Sequence, residues 1–168
     1  MSTPGNGGGN GDPRQRTRLA LVASKGTLDN AYPPLLLATT AASMGWEVGI
    51  FFTFYGLNIL HRDKHKTLKV APLANPAAPV PVPNLLGALP GMTAVATRMM
   101  KGWMDEANMP NLPEFIAMSK ELGVELYACS TTLGVMNIRE DELIEGCTVA
   151  GAAAFLDFAA SSDVQLFI

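Results

Sequence analysis

A cysteine followed by three hydroxyl residues is the part of this sequence best suited to chemistry. Cys129 follows a short, mostly apolar run at residues 124–128 that has the character of a β-strand, and Ser130, Thr131 and Thr132 come next. Hydroxyl residues cap helices, so a strand that stops at a cysteine and leads into a helix places the sulfur beside free backbone N–H groups. Such groups stabilise a thiolate. The pattern indicates Cys129 as a nucleophile, with Ser130 and Thr131 as donors to its anion.

The same cysteine also fits a purely structural role. Cysteine is among the most buried residue types and often packs as a small hydrophobe. The second cysteine, Cys147, has no role that its neighbours in the sequence suggest. Two cysteines without a CxxC motif do not make a disulfide framework. A reducing compartment is therefore the simpler expectation.

A second polar segment follows the first predicted strand, at residues 18–23. Ser24, Lys25 and Gly26 form a turn before a predicted helix, where an anion can bind. Sites in parallel α/β sheets lie at the carboxyl ends of strands, so we expect this turn and Cys129 to face one pocket. Lys25 is the nearest cation for such a pocket, although a solvated lysine is the commoner role in a turn. The turn lacks the GxxxxGK[ST] spacing of a nucleotide site.

Two histidines, His61 and His65, are spaced i, i+4, as two metal ligands on one helix face would be. Asp63 is the only carboxylate nearby, and cations crowd the segment. We therefore predict a solvated, exposed segment at residues 61–69, without a metal, and we predict no other cofactor. Its basic residues also give a weak indication of contact with an acidic partner or an anionic lipid surface.

The composition describes an apolar, weakly charged chain that fits one domain. Of its 168 residues, 48% are hydrophobic and 16% are charged, whereas an average protein has about 25% charged residues. Such a chain needs a thick core, a large subunit interface or a membrane. The net charge of −3 carries no indication of nucleic-acid binding. No signal peptide is evident at the N-terminus.

One long apolar segment raises the question of a transmembrane span. Residues 31–60 contain a single charged residue, Glu47, and are long enough to cross a bilayer. Pro33, Pro34, Gly45 and Gly56 interrupt the segment, and its character changes at Gly45 from small helical residues to β-branched and aromatic ones. This pattern predicts a buried helix that leads into a buried strand. Docking on a membrane surface remains open.

Apolar strands alternate with helical segments along most of the chain. This alternation predicts an α/β fold, a Rossmann-like parallel sheet of about five strands with helices on both faces. The predicted strands are at residues 18–23, 46–54, 124–128, 147–149 and 164–168, and the main helices are at 28–44, 92–104, 112–122 and 151–160.

Two segments depart from this pattern. Residues 1–17 are rich in glycine and asparagine and are expected to form a disordered tail, which leaves a single domain at 18–168. A proline-rich apolar arm occupies about 70–104, and its second half carries methionines at helical spacing. We predict that residues 84–103 contact another subunit or a membrane.

Several motifs together resemble the DsrE/DsrF-like sulfur-relay family, over nearly the whole chain apart from the tail. They read GTLDNAYPP, FFTFYGLN, PGMTAVATRMM, ELGVELYAC and a terminal VQLFI. The sequence looks most like the branch whose members are often called peroxiredoxin family proteins and are found beside TusA-like and rhodanese proteins.

The resemblance implies a homo-oligomer whose strand-end cysteine carries persulfide sulfur, and that cysteine maps onto Cys129. It implies a sulfurtransferase component that passes sulfur between TusA-like and rhodanese-like partners in the cytoplasm, with or without contact to a membrane. Two alternatives remain open. The first is an oligomeric binding or scaffold subunit with an inert cysteine. The second is a thiol peroxidase, for which Cys147 would have to lie close enough to act as the resolving thiol.

Overall fold

The computed structural model of this chain describes residues 16–71 and 91–168. Nearly all of the predicted tail at 1–17 lies outside the described residues. So do residues 72–90 of the predicted arm at 70–104, whereas Val70, Ala71 and residues 91–104 are described.

The described residues are organised around a five-stranded parallel sheet. Its strand order is β4-β3-β2-β1-β5, and every neighbouring pair is parallel. Parallel strands that are buried on both faces have mostly apolar sequences, and the first two strands in the chain have this character. The strands are β1 (Arg18–Ala23), β2 (Glu47–Phe52), β3 (Glu125–Cys129), β4 (Thr148–Ala150) and β5 (Val164–Phe167).

Helices connect these strands, and the predicted α/β class is confirmed. α1 continues through both of its prolines. α4 begins with a capping box in which Asn111 and Glu114 each accept a hydrogen bond from the other's backbone N–H. The helices are α1 (Leu28–Ser43), α2 (Leu57–Leu60), α3 (Met92–Glu106), α4 (Leu112–Glu121), α5 (Ser130–Met136) and α6 (Ala152–Ala160).

The two faces of the sheet are packed differently. One face carries α1, α2 and α4 over the larger core, into which Leu21, Ile50 and Leu126 project. The opposite face carries α6, whose Phe155 stacks on Phe51 of β2 with ring centroids 4.8 Å apart. Cys129 belongs to this second, smaller cluster. None of the helices in the described ranges is long and apolar enough to cross a bilayer.

The prediction of an exposed segment at 61–69 is wrong for its two histidines. His61 and His65 are only 7% and 8% exposed. His61 Nδ1 accepts backbone hydrogen bonds from Asp63 and Lys64, and His65 Nδ1 lies 2.8 Å from the His61 carbonyl oxygen. Burial, reinforced by the charge of Lys64, lowers the pKa of His61, so its ring is a neutral acceptor. Both histidine rings thus form hydrogen bonds with the backbone of this turn.

Two loops at the carboxyl edge of the sheet pack against each other through glycines. The backbone N–H groups of Thr53 and Gly56 donate to the carbonyls of Ala23 and Ser24, at 3.0 and 3.1 Å. A Cβ atom on Gly26 would lie 1.9 Å from the Tyr55 carbonyl oxygen, and one on Gly56 would lie 2.1 Å from that of Ala23. Neither position can take a side chain without moving backbone.

Gly26→Ala or Gly56→Ala should therefore destabilise the fold by about 2–3 kcal/mol, the cost of overpacking against an atom that cannot rotate away. Gly102→Ala is the matched control, because a Cβ atom there meets nothing within 4 Å and Gly102 lies inside α3. That change should stabilise the protein by about 0.5–1 kcal/mol. Urea unfolding measures all three variants, and equal losses at Gly26, Gly56 and Gly102 would contradict the close packing of the loops.

Candidate functional site

The sequence places Cys129 at the junction between a strand and a helix. It is the last residue of β3, opposite Ala150 of β4, and it occupies the N-cap position of α5 with an extended backbone conformation. The first N–H groups of any helix have no partner within the helix, so here they are free to meet the cysteine. Its side chain packs beneath α6, and the residue is 5% exposed.

Hydrogen bonds to the ionised sulfur decide the acidity of Cys129. Burial by itself raises the pKa of the thiol. The hydroxyl and backbone N–H of Thr132, the hydroxyl of Thr53 and the backbone N–H of Thr131 act in the opposite direction, and together they bring the pKa below its ordinary value. These groups therefore favour the thiolate more than burial alone would.

The two threonine hydroxyls form one hydrogen-bonded unit. Thr53 Oγ1 and Thr132 Oγ1 are 3.0 Å apart, and Thr132 Oγ1 also accepts the backbone N–H of Phe54 at 3.1 Å. Each hydroxyl can donate one hydrogen bond. The two threonines can therefore donate two in all, one to the sulfur and one between the two hydroxyls. One threonine donates to the sulfur while the other donates to the first. Such a chain of donors strengthens the final hydrogen bond to the anion.

Phe54 adopts a conformation that bulky residues rarely take. Its φ is 46°, in the left-handed region, and its side chain is exposed. The bond from its N–H to Thr132, together with the packed loops around Gly26 and Gly56, holds this conformation. An exposed aromatic pair, Phe54 and Tyr55, therefore stands beside the loop that carries Thr53.

The remaining predicted site residues occupy different places at the same edge. The Ser24-Lys25-Gly26 turn follows β1, which is separated from β3 by β2, so it lies two strand spacings from Cys129, roughly 10 Å. Ser24 donates through its N–H and hydroxyl to the Ile168 carbonyl, at 3.0 and 3.1 Å, and Lys25 is exposed. The loop with Thr53 bridges the turn and the cysteine.

Ser130 and Thr131 differ from the expectation that their hydroxyls serve the sulfur. Both side chains are exposed, and Thr131 contributes its backbone N–H. The hydroxyls that lower the pKa of Cys129 belong instead to Thr132, one residue further on, and to Thr53. Thr53 was not predicted from the sequence. Thr53 directly follows β2, so the rule that sites gather at carboxyl ends of strands would have found it.

Cys147 lies at the other end of the sheet. Because Cys129 pairs with Ala150, Cys147, which directly precedes β4 and is three residues before Ala150, lies about 10 Å away. A disulfide needs Cα atoms within about 7 Å, so the two thiols cannot join without backbone movement. Cys147 Sγ donates to the Ile144 carbonyl at 3.1 Å, and burial raises the pKa of this thiol. It borders a surface cavity of about 570 Å³ that Arg62 also lines.

No group of three or more His, Cys, Asp or Glu side chains within residues 16–71 and 91–168 could hold a metal ion. The chemistry available to the arrangement is that of a single stabilised thiolate, which attacks sulfur or carbon electrophiles.

Comparison with known proteins identifies relatives that match this chain over almost their whole length. The model of the DsrE/DsrF/DrsH-like family matches residues 15–167. The chain is 43% identical over 160 residues to the sulfur carrier protein DsrE2 of Allochromatium vinosum, covering 92% of this chain and 99% of the relative. It is 31% identical over 157 residues to the uncharacterized protein YrkE of Bacillus subtilis, covering 92% and 98%.

Two solved structures share the fold. The ychN protein of E. coli superposes with a TM-score of 0.58 at 12% identity, and the protein of unknown function MTH1491 of Methanobacterium thermoautotrophicum with 0.52 at 14%. Each match covers 90% of this chain and 99% of the other. At these low sequence identities, the matches show a shared fold and carry no information about function.

Thr132→Val should raise the pKa of Cys129, because it removes a hydroxyl that the sulfur or Thr53 needs while keeping the shape of the side chain. We expect alkylation by iodoacetamide at neutral pH to slow about fivefold, since the lost thiolate fraction is partly offset by the higher nucleophilicity of a more basic thiolate. The measurement is the pH dependence of the alkylation rate in a Cys147→Ser background.

Thr132→Ser keeps the hydroxyl and serves as the control. Its pH profile should match that of the parent protein. If the serine and valine variants both behaved like the parent, the hydroxyl pair would have no part in stabilising the thiolate.

Proposed function

The chain belongs to the DsrE/DsrF/DrsH-like family, and from that premise we propose that it is a sulfur carrier, holding sulfane sulfur as a persulfide on Cys129 and passing it between protein partners. Two findings support the proposal. A relative covered over almost its whole length is named a sulfur carrier protein. The observation that carries it is the set of hydroxyl and N–H donors around the ionised sulfur of Cys129.

Loading is an exchange of thiols at sulfur. The Cys129 thiolate attacks the outer sulfur of a donor persulfide, R–S–SH, forms a new S–S bond and breaks the old one. The products are Cys129–S–SH and the donor thiolate R–S⁻, so no external oxidant or reductant is consumed. The lowered pKa increases the fraction of Cys129 that is present as the attacking thiolate.

Unloading reverses the roles. An acceptor thiolate attacks the outer sulfur of Cys129–S–SH, takes it as a new persulfide and releases the Cys129 thiolate. The donors from Thr132, Thr53 and Thr131 then stabilise this leaving group, as they stabilised the nucleophile in loading. The reacting sulfur is also one S–S bond, about 2 Å, further from the backbone than the buried Cys129 sulfur.

A carrier must keep its cargo until an acceptor arrives. A neighbouring thiol would attack the persulfide, form a disulfide and release hydrogen sulfide. Cys147 lies about 10 Å from Cys129 along the strand direction and so cannot do this within one chain. The same separation disfavours a thiol peroxidase that resolves with Cys147.

Partners supply and remove the sulfur in this proposal. TusA-like and rhodanese-like proteins are the donors and acceptors, in the reducing environment of the cytoplasm. The chain acts as a homo-oligomer. Exposed Phe54 and Tyr55 lie on the loop beside the thiolate and offer an apolar contact for a partner.

One observation favours the second candidate, an oligomeric binding subunit with an inert cysteine. Cys129 is 5% exposed and packs in an apolar cluster with Ala20, Phe51 and Phe155. An inert thiol would need no polar donors, however, and several surround this one.

Intact-protein mass spectrometry after treatment with polysulfide distinguishes these functions. We expect increments of about 32 daltons per sulfur atom on the parent protein and on Cys147→Ser, both reversed by a reductant because a persulfide is reducible. Cys129→Ser should gain none.

Two controls make the outcome decisive. Circular dichroism must match for all three proteins, and a persulfidated TusA-like protein replaces polysulfide in a second run to test transfer between proteins. Loss of the increment only in Cys147→Ser would mean that the other cysteine carries sulfur. A folded parent protein with no increment would leave the binding subunit as the function.

A further inference from the structure

A basic groove runs between α3 and the segment that follows α2. The groove has a volume of about 540 Å³, and four cations line it against one acid, Asp105, although the whole chain has a net charge of −3. The sulfur chemistry does not use this groove. Its cations are Lys66, Lys69, Arg98 and Lys101.

An apolar stripe lies next to the groove on α3. Val95, Met99 and Trp103 are 61%, 47% and 42% exposed. They are spaced by four residues, so they form one line along the helix. Arg98 and Lys101 project to one side of that line. The helix therefore presents a basic strip and an apolar strip together to solvent.

A third side of α3 fixes the helix to the domain, so these strips are not turned inward. Thr97 is buried, and its hydroxyl accepts the Val70 N–H at 3.1 Å and donates to the Thr93 carbonyl at 2.7 Å. Ala96, Met100 and Met104 pack against the main core. The outward face is thus set by the fold.

We propose that the basic groove and the apolar stripe of α3 dock this protein on the surface of a membrane with anionic headgroups. Cations in the groove meet phosphate groups, and Trp103, Met99 and Val95 enter the boundary between headgroups and acyl chains. An interfacial helix combines these same two features, a basic polar side and an apolar side with tryptophan.

A bilayer fits both strips, whereas an acidic protein segment fits only one of them. An acidic partner would neutralise the groove and leave the apolar stripe in water. Asp105 and Glu106 lie at the C-terminal end of α3, so the electrostatic attraction is concentrated nearer Arg98 and Lys101. The proposed membrane surface contains neither cysteine, so membrane docking is independent of the proposed carrier function.

Vesicle binding of the full chain tests this surface. Trp46→Phe leaves Trp103 as the single tryptophan, because the sequence contains two. Its fluorescence should shift to shorter wavelength with phosphatidylcholine vesicles that contain phosphatidylglycerol. It should stay unchanged with phosphatidylcholine alone, and the shift should disappear at about 1 M salt, where charges are screened beyond about 3 Å.

Matched substitutions assign the effect to residues. Lys101→Gln should weaken sedimentation with the anionic vesicles about fivefold, the loss expected for one cation. Lys120→Gln, which alters an exposed lysine on α4, should leave it unchanged. Met99→Ser should also weaken binding, whereas Leu156→Ser, at an exposed leucine of α6, should not.

Three results would overturn the proposal. The first is equal binding to neutral and anionic vesicles, or none to either. The second is an equal loss in Lys101→Gln and Lys120→Gln. The third is a Trp103 shift that depends on protein concentration without vesicles, which would make a second copy of this chain the occupant of the surface.

Discussion

The hydrogen bond between the hydroxyls of Thr53 and Thr132 is the contact on which the candidate site depends. It joins the loop after β2 to the first turn of α5, at 3.0 Å, and both hydroxyls act to lower the pKa of the Cys129 thiol. Burial in the cluster under α6 acts against them and raises the pKa of this thiol. Polar donors on one side thus lower the pKa of a cysteine that packs against aromatic side chains on the other.

Close backbone packing holds that contact in place. Gly26 and Gly56 let the loops after β1 and β2 approach until no Cβ atom fits between them, and Phe54 is held in a left-handed conformation next to Thr53. Strain of this kind costs roughly 1–3 kcal/mol and persists only where surrounding packing enforces it. The core between the sheet and α1, α2 and α4 holds these loops in place. The stability of the domain and the acidity of the cysteine are therefore linked.

The sequence predicted the fold well because its signals are local. Continuous apolar runs identified β1 and β2, and the change from small helical residues to β-branched and aromatic ones at Gly45 separated α1 from β2. The position of Cys129 at the end of β3 followed from the same reasoning. Thr53 was not selected, because its contact with Thr132 spans 79 residues and depends on how two loops meet. His61 and His65 were misjudged because the exposed lysines around them dominate the local composition, while their rings serve backbone groups.

An ultraviolet absorbance titration of the Cys129 thiolate, in folded Cys147→Ser protein, tests the central claim most directly. The hydroxyl and N–H donors predict a midpoint below that of an unperturbed cysteine, and a signal that is absent in the Cys129→Ser, Cys147→Ser double variant. A midpoint at or above that of an unperturbed cysteine would mean that burial outweighs the donors. The site would then not be built for a thiolate.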